Sequence, residues 1–122
     1  MNIKEIADRA HDRAVKIGAY GDDAESSISL KIFEESNELR EAIENRMYSG
    51  DLQRLEGKID HDFKVLFESI CKDSIEDEMA DNILLLLAAS RELNIDIEKH
   101  ITYKQKYNSL RDDHKWPLKL FW

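Results

Sequence analysis

The sequence has few residues of the kinds that cross-link or interrupt a chain: among 122 residues there are one cysteine, one proline and four glycines. The single cysteine, Cys71, excludes an internal disulfide and a cysteine-rich zinc site, so we interpret it as a small core or interface residue. Because proline and glycine interrupt regular structure and promote turns, their scarcity favours helices over turn-rich β structure. We therefore predict an all-α fold in a single domain spanning residues 1–122.

Basic charge and long apolar runs are also scarce. The formal net charge is −8 at pH 7, which argues against a nucleic-acid or anionic membrane surface because both need a basic face. The longest apolar run, residues 83–89, is far too short to span a bilayer, and the charged N-terminus lacks the apolar core of a signal peptide. We expect a cytoplasmic protein with no nucleic-acid and no membrane partner, whose acidic charge suits the binding of cations.

Apolar residues recur at helical spacing along most of the chain. With the turn and cap residues between them, they predict a bundle of four to five helices, at about 3–18, 26–47, 75–93 and 97–110, with an extended connection at about 48–73. That connection holds either one broken helix or two short ones, with Gly57 as its weak point. Ser74 is a suitable N-cap for the helix that follows, and Asp77 is placed to reach back toward it. Pro117 rules out further regular helix in the apolar C-terminal tail at 115–122, which we expect to cover a core or a subunit seam.

Five glutamates crowd the second predicted helix, in the stretch FEESNELREAIE: Glu34, Glu35, Glu38, Glu41 and Glu44. Each helical residue advances about 100° around the axis, and we predict a buried side defined by the apolar residues Ile28, Ile32, Leu39, Ala42, Ile43 and Met47. Glu35 falls inside that apolar arc and Glu38 lies at its margin. Glu34 sits farther out, and Glu41 and Glu44 point away. An ordinary solvated face explains the last two well and Glu35 poorly.

A second acidic pair lies on the helix after Ser74. Glu78 and Asp81 bracket the direction of Leu85, at the start of a segment that is apolar all around and must be enclosed within the monomer or between subunits. Carboxylates aimed at an interior are costly unless they are paired or bound to a metal. Two interpretations stay open on this pattern: the acids hold a hard divalent cation such as Mg²⁺ or Mn²⁺, or they form salt bridges with Lys31, Arg40 and Arg46.

The motif EESNE, followed by EMAD on an apolar helix, resembles the E-E-x-x-E and E-x-x-D motifs of the MazG-like, all-α nucleoside triphosphate pyrophosphohydrolases. The stretch EDEMADNILLLLAASRELNIDIEKHITYKQKYNSLR resembles that family's third core helix, turn and fourth helix. The resemblance covers roughly residues 25–47 and 74–114. One departure is plain, because residues 39–77 separate the two motifs by more than the compact family pattern. We expect this departure to affect oligomer geometry and substrate choice more than chemistry.

The resemblance implies a helical bundle of the MazG type, completed by dimerisation into a homodimer or homotetramer. It implies hydrolysis of nucleoside triphosphates, such as dNTPs, to nucleoside monophosphate and pyrophosphate, for nucleotide pool cleaning or control. Mg²⁺, with Mn²⁺ as a substitute, would be bound by Glu35, Glu38, Glu78 and Asp81. Glu34 and Glu38 would be catalytic, Glu34 as a candidate to orient or deprotonate the attacking water. Substrate would be contacted by Lys104, Asn108, Arg111 and Tyr107.

Other residues allow two interpretations each. Tyr107 is placed to stack on a base, although half-buried packing is the commoner role for such a residue. Arg9 and Arg13, one turn apart on the first helix, are within reach of a phosphate, although we interpret them as a solvated face. For the whole chain, the alternatives to a triphosphate pyrophosphohydrolase are a noncatalytic helical interaction protein and a metal-dependent hydrolase of another nucleotide phosphoanhydride.

Overall fold

The computed structural model describes residues 2–111, which contain five α-helices, one short 3-10 helix and no strand. The α-helices are α1 (Ile3–Lys16), α2 (Ala24–Glu44), α3 (Asp60–Ile70), α4 (Ile75–Glu92) and α5 (Ile97–Leu110), and the 3-10 helix is Leu52–Leu55. The predicted all-α class is confirmed. None of the described helices combines the length and apolarity needed to cross a membrane. The apolar tail predicted at 115–122 lies outside the described residues.

Side-chain caps fix where most of the helices begin. Asn2, Asp23, Ser74 and Asp96 each accept a backbone N–H in the first turn of α1, α2, α4 and α5 respectively. The predicted cap at Ser74 is confirmed, since its hydroxyl oxygen accepts from the Asp77 N–H at 3.1 Å. The Asp77 carboxylate accepts instead from the Asp73 N–H at 2.9 Å, so the reciprocal half of a capping box is replaced by a bond to the preceding turn.

The extended connection contains two short helices rather than one broken helix. The 3-10 helix and α3 are separated by Gly57, whose φ of 74° lies in the left-handed region that favours glycine. Backbone hydrogen bonds close the connection against its neighbours: the Gly50 N–H donates to the carbonyl oxygen of Ile70, and the Ile75 N–H donates to that of Met47. The chain therefore returns to the end of α2 at the point where α4 begins.

Helix α4 is the centre of the fold and packs against α1 on one side and α2 on the other. Its last two turns are the most buried part of the chain, and the small side chains of Ala88 and Ala89 lie there. The Arg91 guanidinium pairs with Asp8 at 2.8 Å, and His11 Nε2 lies 2.9 Å from the Glu92 carboxylate. These contacts hold α1 against the C-terminal half of α4, while α2 runs along both halves of α4.

Much of the apolar surface predicted to be enclosed is exposed within residues 2–111. Ile28 and Ala42 of α2 are buried, whereas Ile32, Ile43 and Met47 on the same side are exposed. On α4, Ile83 and Leu86 are 57% and 53% exposed. They line a groove of about 510 Å³ between α2, α4 and α5 whose other walls include Ile32, Leu93 and Ile101. The prediction that Ile32, Ile43 and Met47 are buried was therefore wrong for the described chain, because helical periodicity locates an apolar face but does not say which neighbour covers it.

Candidate metal centre and adjoining cleft

The packing of α2 against α4 brings three of the predicted metal ligands together. One carboxylate oxygen of each of Glu35, Glu38 and Glu78 lies within 4.8 Å of the others. Glu78 is only 4% exposed, Glu35 is half-buried and Glu38 is exposed. The group therefore runs from the buried α2–α4 seam to the surface, and it is accessible to a ligand from the Glu38 side.

Asn82 joins the two helices at the level of these acids. Its side-chain nitrogen donates to the backbone carbonyl of Glu35 on α2 at 3.0 Å and to that of Glu78 on α4 at 2.8 Å. Asn82 was not among the residues predicted for the site. An amide one turn after Glu78 on an apolar helix is the signal in the sequence, because a polar group there needs a hydrogen-bond partner.

Burial and mutual repulsion favour the protonated forms of these acids. Burial, followed by the charges of Glu38, Asp81, Asp77 and Glu35, raises the pKa of Glu78 to about 7. The pKa of Glu35 is raised by burial first and then by Glu38 and Asp81. Buried oxygens of both residues, Glu35 Oε2 and Glu78 Oε2, have no hydrogen-bond partner. The three carboxylates repel one another, and two of their buried oxygens lack hydrogen bonds. A hard divalent cation prefers such oxygen ligands.

Two of the three basic residues considered as alternative partners, Lys31 and Arg40, pair with other acids. Lys31 lies 3.7 Å from Glu34, and Arg40 lies 2.8 Å from Glu44. The ion pairs that the structure shows within residues 2–111 include none with Arg46 and none with the three converging glutamates. The salt-bridge interpretation thus accounts for Glu34 and Glu44 and leaves the converging glutamates without a basic partner at ion-pair distance in the described chain.

The fourth predicted ligand, Asp81, lies apart from the three converging carboxylates. Asp81 is exposed, whereas the sequence pattern predicted that it faces an interior. Even so, Asp81 is close enough to raise the pKa of both Glu35 and Glu78, and its own pKa is raised by burial first and then by Asp77 and Glu38. It lines a neighbouring cleft together with Glu35. A cation bound by the three glutamates would therefore lie beside this aspartate.

The neighbouring cleft has a volume of about 320 Å³ and is formed by α1, α2 and α4. Its apolar floor includes Ile17, Leu84, Leu85 and Ala88, and basic residues from two helices, Arg13 of α1 and Lys31 of α2, also line it. Arg13 was interpreted as part of a solvated face. It is exposed, but it also contributes to the cleft. The fold of α1 onto α4 creates this combination, which the sequence pattern of α1 alone does not reveal.

Tyr20 forms part of the wall of the same cleft. Its backbone carbonyl accepts from the Ser27 hydroxyl at 2.7 Å, and its ring stacks against His11 with ring centres 5.9 Å apart. The phenolic oxygen is buried without a hydrogen-bond partner, and burial, followed by the charge of Glu92, raises its pKa. The cleft thus combines apolar surface and the Tyr20 side chain with two acids and two bases, a set that suits a ligand with a flat apolar body and an anionic group.

The predicted substrate contacts lie on a different part of the molecule. Lys104 Nζ and the Arg111 guanidinium lie 5.0 and 5.9 Å from the centre of the Tyr107 ring, and Arg111 donates to the Asn108 side-chain oxygen at 3.3 Å. They form one cluster at the C-terminal end of α5. No residue of α5 lines either of the cavities that contain Glu35, Glu38 or Glu78 in the described chain.

Glu34, the predicted catalytic glutamate beside the ligands, is exposed and does not belong to the group of converging carboxylates formed by Glu35, Glu38 and Glu78. Its ion-pair partner Lys31 lines the cleft, so Glu34 borders the site through that lysine.

Compared with models of known protein families, with curated proteins and with solved structures, the chain gives no match. Its function therefore has to be inferred from the three converging glutamates, the cleft beside them and the motifs that contain them.

Proposed function

We propose that this protein hydrolyses nucleoside triphosphates, with dNTPs as the expected substrates, to nucleoside monophosphate and pyrophosphate in a Mg²⁺-dependent reaction. The observation that carries the proposal is the convergence of Glu35, Glu38 and Glu78 within 4.8 Å, with Glu78 buried and one of its oxygens unpaired. Such a group is stabilised by binding a divalent cation. Mn²⁺ is expected to substitute for Mg²⁺, since both prefer oxygen ligands.

The cleft beside the glutamates supports a nucleotide rather than a free cation as the ligand. Its apolar floor and Tyr20 suit a nucleobase, and Arg13 and Lys31 are placed to attract phosphate groups. The cleft includes Glu35 and Asp81, so a nucleotide bound there has its phosphates next to the acids. A bound divalent cation would neutralise the charge of the acids and of the triphosphate and polarise the phosphoryl oxygens.

The reaction class is chosen from the motifs. EESNE and EMAD resemble those of enzymes that cleave between the α and β phosphates, so water would add to the α phosphorus and pyrophosphate would leave. Glu38 is exposed at the open side of the carboxylate group, where a water molecule has access. Glu34 is the second candidate to orient or deprotonate that water, and it would act from the Lys31 side of the cleft. The predicted substrate contacts at the end of α5 do not line this cleft in the described chain, and their role stays a prediction.

The test is product analysis after incubation of the purified protein with each dNTP and NTP and Mg²⁺. Anion-exchange chromatography separates monophosphate from diphosphate products, and a phosphate assay distinguishes pyrophosphate from orthophosphate. We expect monophosphate with an equal amount of pyrophosphate. A diphosphate product would overturn α–β cleavage. No turnover of any nucleotide, together with measured Mn²⁺ binding, would point to another nucleotide phosphoanhydride as the substrate.

Variants link the activity to the site. Glu38→Gln and Glu78→Gln remove one charge each from the carboxylate group while keeping side-chain size, and we expect each to lower kcat/KM by at least about a hundredfold. Glu44→Gln is the matched control for Glu38→Gln, because Glu44 is also on α2 but pairs with Arg40 on the exposed side. Equal loss in Glu44→Gln would show that the effect comes from the fold or net charge and not from the site.

A noncatalytic helical interaction protein is the second candidate. The groove between α2, α4 and α5 favours it, because Ile83 and Leu86 are more than half exposed along a nearly continuous apolar surface. If this candidate were correct, Mg²⁺ and Mn²⁺ would leave the melting temperature unchanged. A metal-dependent rise in melting temperature that is lost in Glu78→Gln would exclude it in favour of a metal-dependent function.

A further inference from the structure

Glu78 belongs to two groups of carboxylates. Besides its contact with Glu35 and Glu38, one of its oxygens lies within 4.8 Å of a carboxylate oxygen of Asp73 and of Asp77, which lie equally close to each other. We propose that Asp73, Asp77 and Glu78 bind a second divalent cation, so that Glu78 is shared between two metal ions. The role of this cation in hydrolysis rests on the proposed function, whereas its binding can be measured separately.

The buried carboxylate of Glu78 is the observation that points to a ligand. Glu78 is 4% exposed, and its Oε2 has no hydrogen-bond partner. A single cation between Glu35, Glu38 and Glu78 would leave the neighbouring carboxylates of Asp73 and Asp77 without a cation. A second cation there offsets their repulsion with Glu78.

Asp77 is already oriented for this role. Its Oδ2 accepts the Asp73 N–H at 2.9 Å, and its backbone N–H donates to the Ser74 hydroxyl oxygen at 3.1 Å. These bonds fix Asp77 in the first turn of α4 and leave its Oδ1 available. Asp73 is exposed, so it supplies a carboxylate from the solvent side. Within this group, Glu78 is therefore buried, Asp77 is held in a fixed orientation and Asp73 is accessible from solvent.

Both carboxylate groups open into the same cavity. It has a volume of about 330 Å³, and its lining includes Glu38 from the first group, Asp73 from the second and Glu78 from both. Glu41 also lines it, whereas no lysine or arginine of the described chain does. Mg²⁺ and Mn²⁺ usually keep several water ligands, and a cavity of this size has room for them.

The extended connection that departs from the MazG-like spacing ends at Asp73. Hydrogen bonds attach both ends of the connection to α4. At its start, the Ser49 N–H and hydroxyl donate to the two carboxylate oxygens of Glu76 at 3.0 and 3.1 Å. At its end, the Asp73 N–H donates to the Asp77 carboxylate at 2.9 Å, which holds Asp73 beside Glu78. Two cations that share a carboxylate can stabilise the attacking and the leaving oxygen of a displacement at phosphorus, which gives the connection a role in the proposed reaction.

Mn²⁺ binding to the full-length chain tests this inference. The number of bound Mn²⁺ ions is measured by equilibrium dialysis, and electron paramagnetic resonance reports whether two bound ions are magnetically coupled. We expect two coupled Mn²⁺ ions per wild-type chain and one uncoupled ion in Asp73→Asn. Asp60→Asn is the matched control, because Asp60 and Asp73 are both exposed aspartates with positive φ, 49° and 65°, which asparagine adopts equally well. This control should bind two.

The Glu35→Gln variant separates the two sites. We expect Glu35→Gln to lower the affinity for the first Mn²⁺ ion by at least about tenfold, while Asp73 still contributes to binding of the second ion. One Mn²⁺ per wild-type chain that is lost in Glu35→Gln and unaffected by Asp73→Asn would overturn the second site and leave the proposed function intact. The same Mn²⁺ number and coupling in Asp73→Asn as in wild type would also overturn it. No Mn²⁺ binding at all would overturn both proposals.

Discussion

The side-chain amide of Asn82 donates to the backbone carbonyl of Glu35 at 3.0 Å, across the seam between α2 and α4. The same nitrogen also donates to the carbonyl oxygen of Glu78, at 2.8 Å. One amide group thus connects the two helices at the level where their carboxylates repel each other. Asn82 is a positioning residue, because it holds the two backbones in register and does not itself belong to the carboxylate group.

Asn82→Ala should weaken cation binding. Without the amide, the repulsion between Glu35 and Glu78 is free to separate the helices, so we expect Mn²⁺ affinity to fall about tenfold and stability to fall by about 1–2 kcal/mol. Titration calorimetry measures the first and urea unfolding the second. Asn37→Ala, which removes an amide from α2 away from this bridge, should change neither. An Asn82→Ala protein with wild-type Mn²⁺ affinity would show that the helices keep their spacing without the amide.

The pKa of Glu78 predicts how stability changes with pH when no metal is bound. Its folded value is about 7, raised above the ordinary value of 4.5 by burial and by Glu38, Asp81, Asp77 and Glu35. The protonated form is therefore favoured by folding. This contribution is fully present below pH 4.5 and is lost as pH rises through 7, on the order of 3 kcal/mol in total. In EDTA we expect a lower melting temperature at pH 8 than at pH 6.

Divalent cations should reverse this trend, because they bind the ionised carboxylates. We expect Mg²⁺ or Mn²⁺ to raise the melting temperature more at pH 8 than at pH 5.5. Glu78→Gln keeps the shape of the protonated form, so in EDTA at pH 8 it should be more stable than wild type and respond little to metal. A wild-type melting temperature in EDTA that rises from pH 6 to pH 8 would contradict this account of Glu78.

The sequence was sufficient to predict the helices and the direction of two of the acids. The cap at Ser74, the extent of α5 and the direction of Glu35 follow from local rules: capping chemistry and a period of 3.6 residues. Helical projection also placed Glu78 correctly in the interior. These features depend on neighbours within a few turns, which the sequence displays directly.

The rest depends on which helices meet, and no local rule contains that information. Arg13 joins Lys31 in one cleft only because α1 packs on α4 beside α2. Asp73 approaches Glu78 because the connection between α2 and α4 turns back before α4 begins. The prediction for Asp81 was wrong: helical projection placed it facing inward, but it is exposed, and no element within residues 2–111 covers it.

Arg13→Gln tests the cleft as the nucleotide site. If Arg13 attracts phosphate, its loss should raise KM for the triphosphate about tenfold with a smaller change in kcat, because the cation and glutamates remain in place. Arg9→Gln is the matched control, one turn earlier on the same helix and absent from the cleft lining. Steady-state kinetics at two salt concentrations measures both. Equal effects of the two substitutions would indicate general charge attraction, and no effect of Arg13→Gln would place the phosphates elsewhere.

The predicted homo-oligomer can be tested at Leu86. This side chain is 53% exposed and lines the apolar groove between α2, α4 and α5. A lysine there should change the stability of the isolated chain little, but its charge would be desolvated in any interface that covers the groove. We expect light scattering after size-exclusion chromatography to give a dimer or tetramer for wild type and a monomer for Leu86→Lys. Val15→Lys should keep the wild-type mass, because Val15 is equally exposed, at 54%, but lies on α1 outside the groove. A wild-type monomer would contradict the oligomer, and an oligomer that survives Leu86→Lys would place the subunit interface on a different surface.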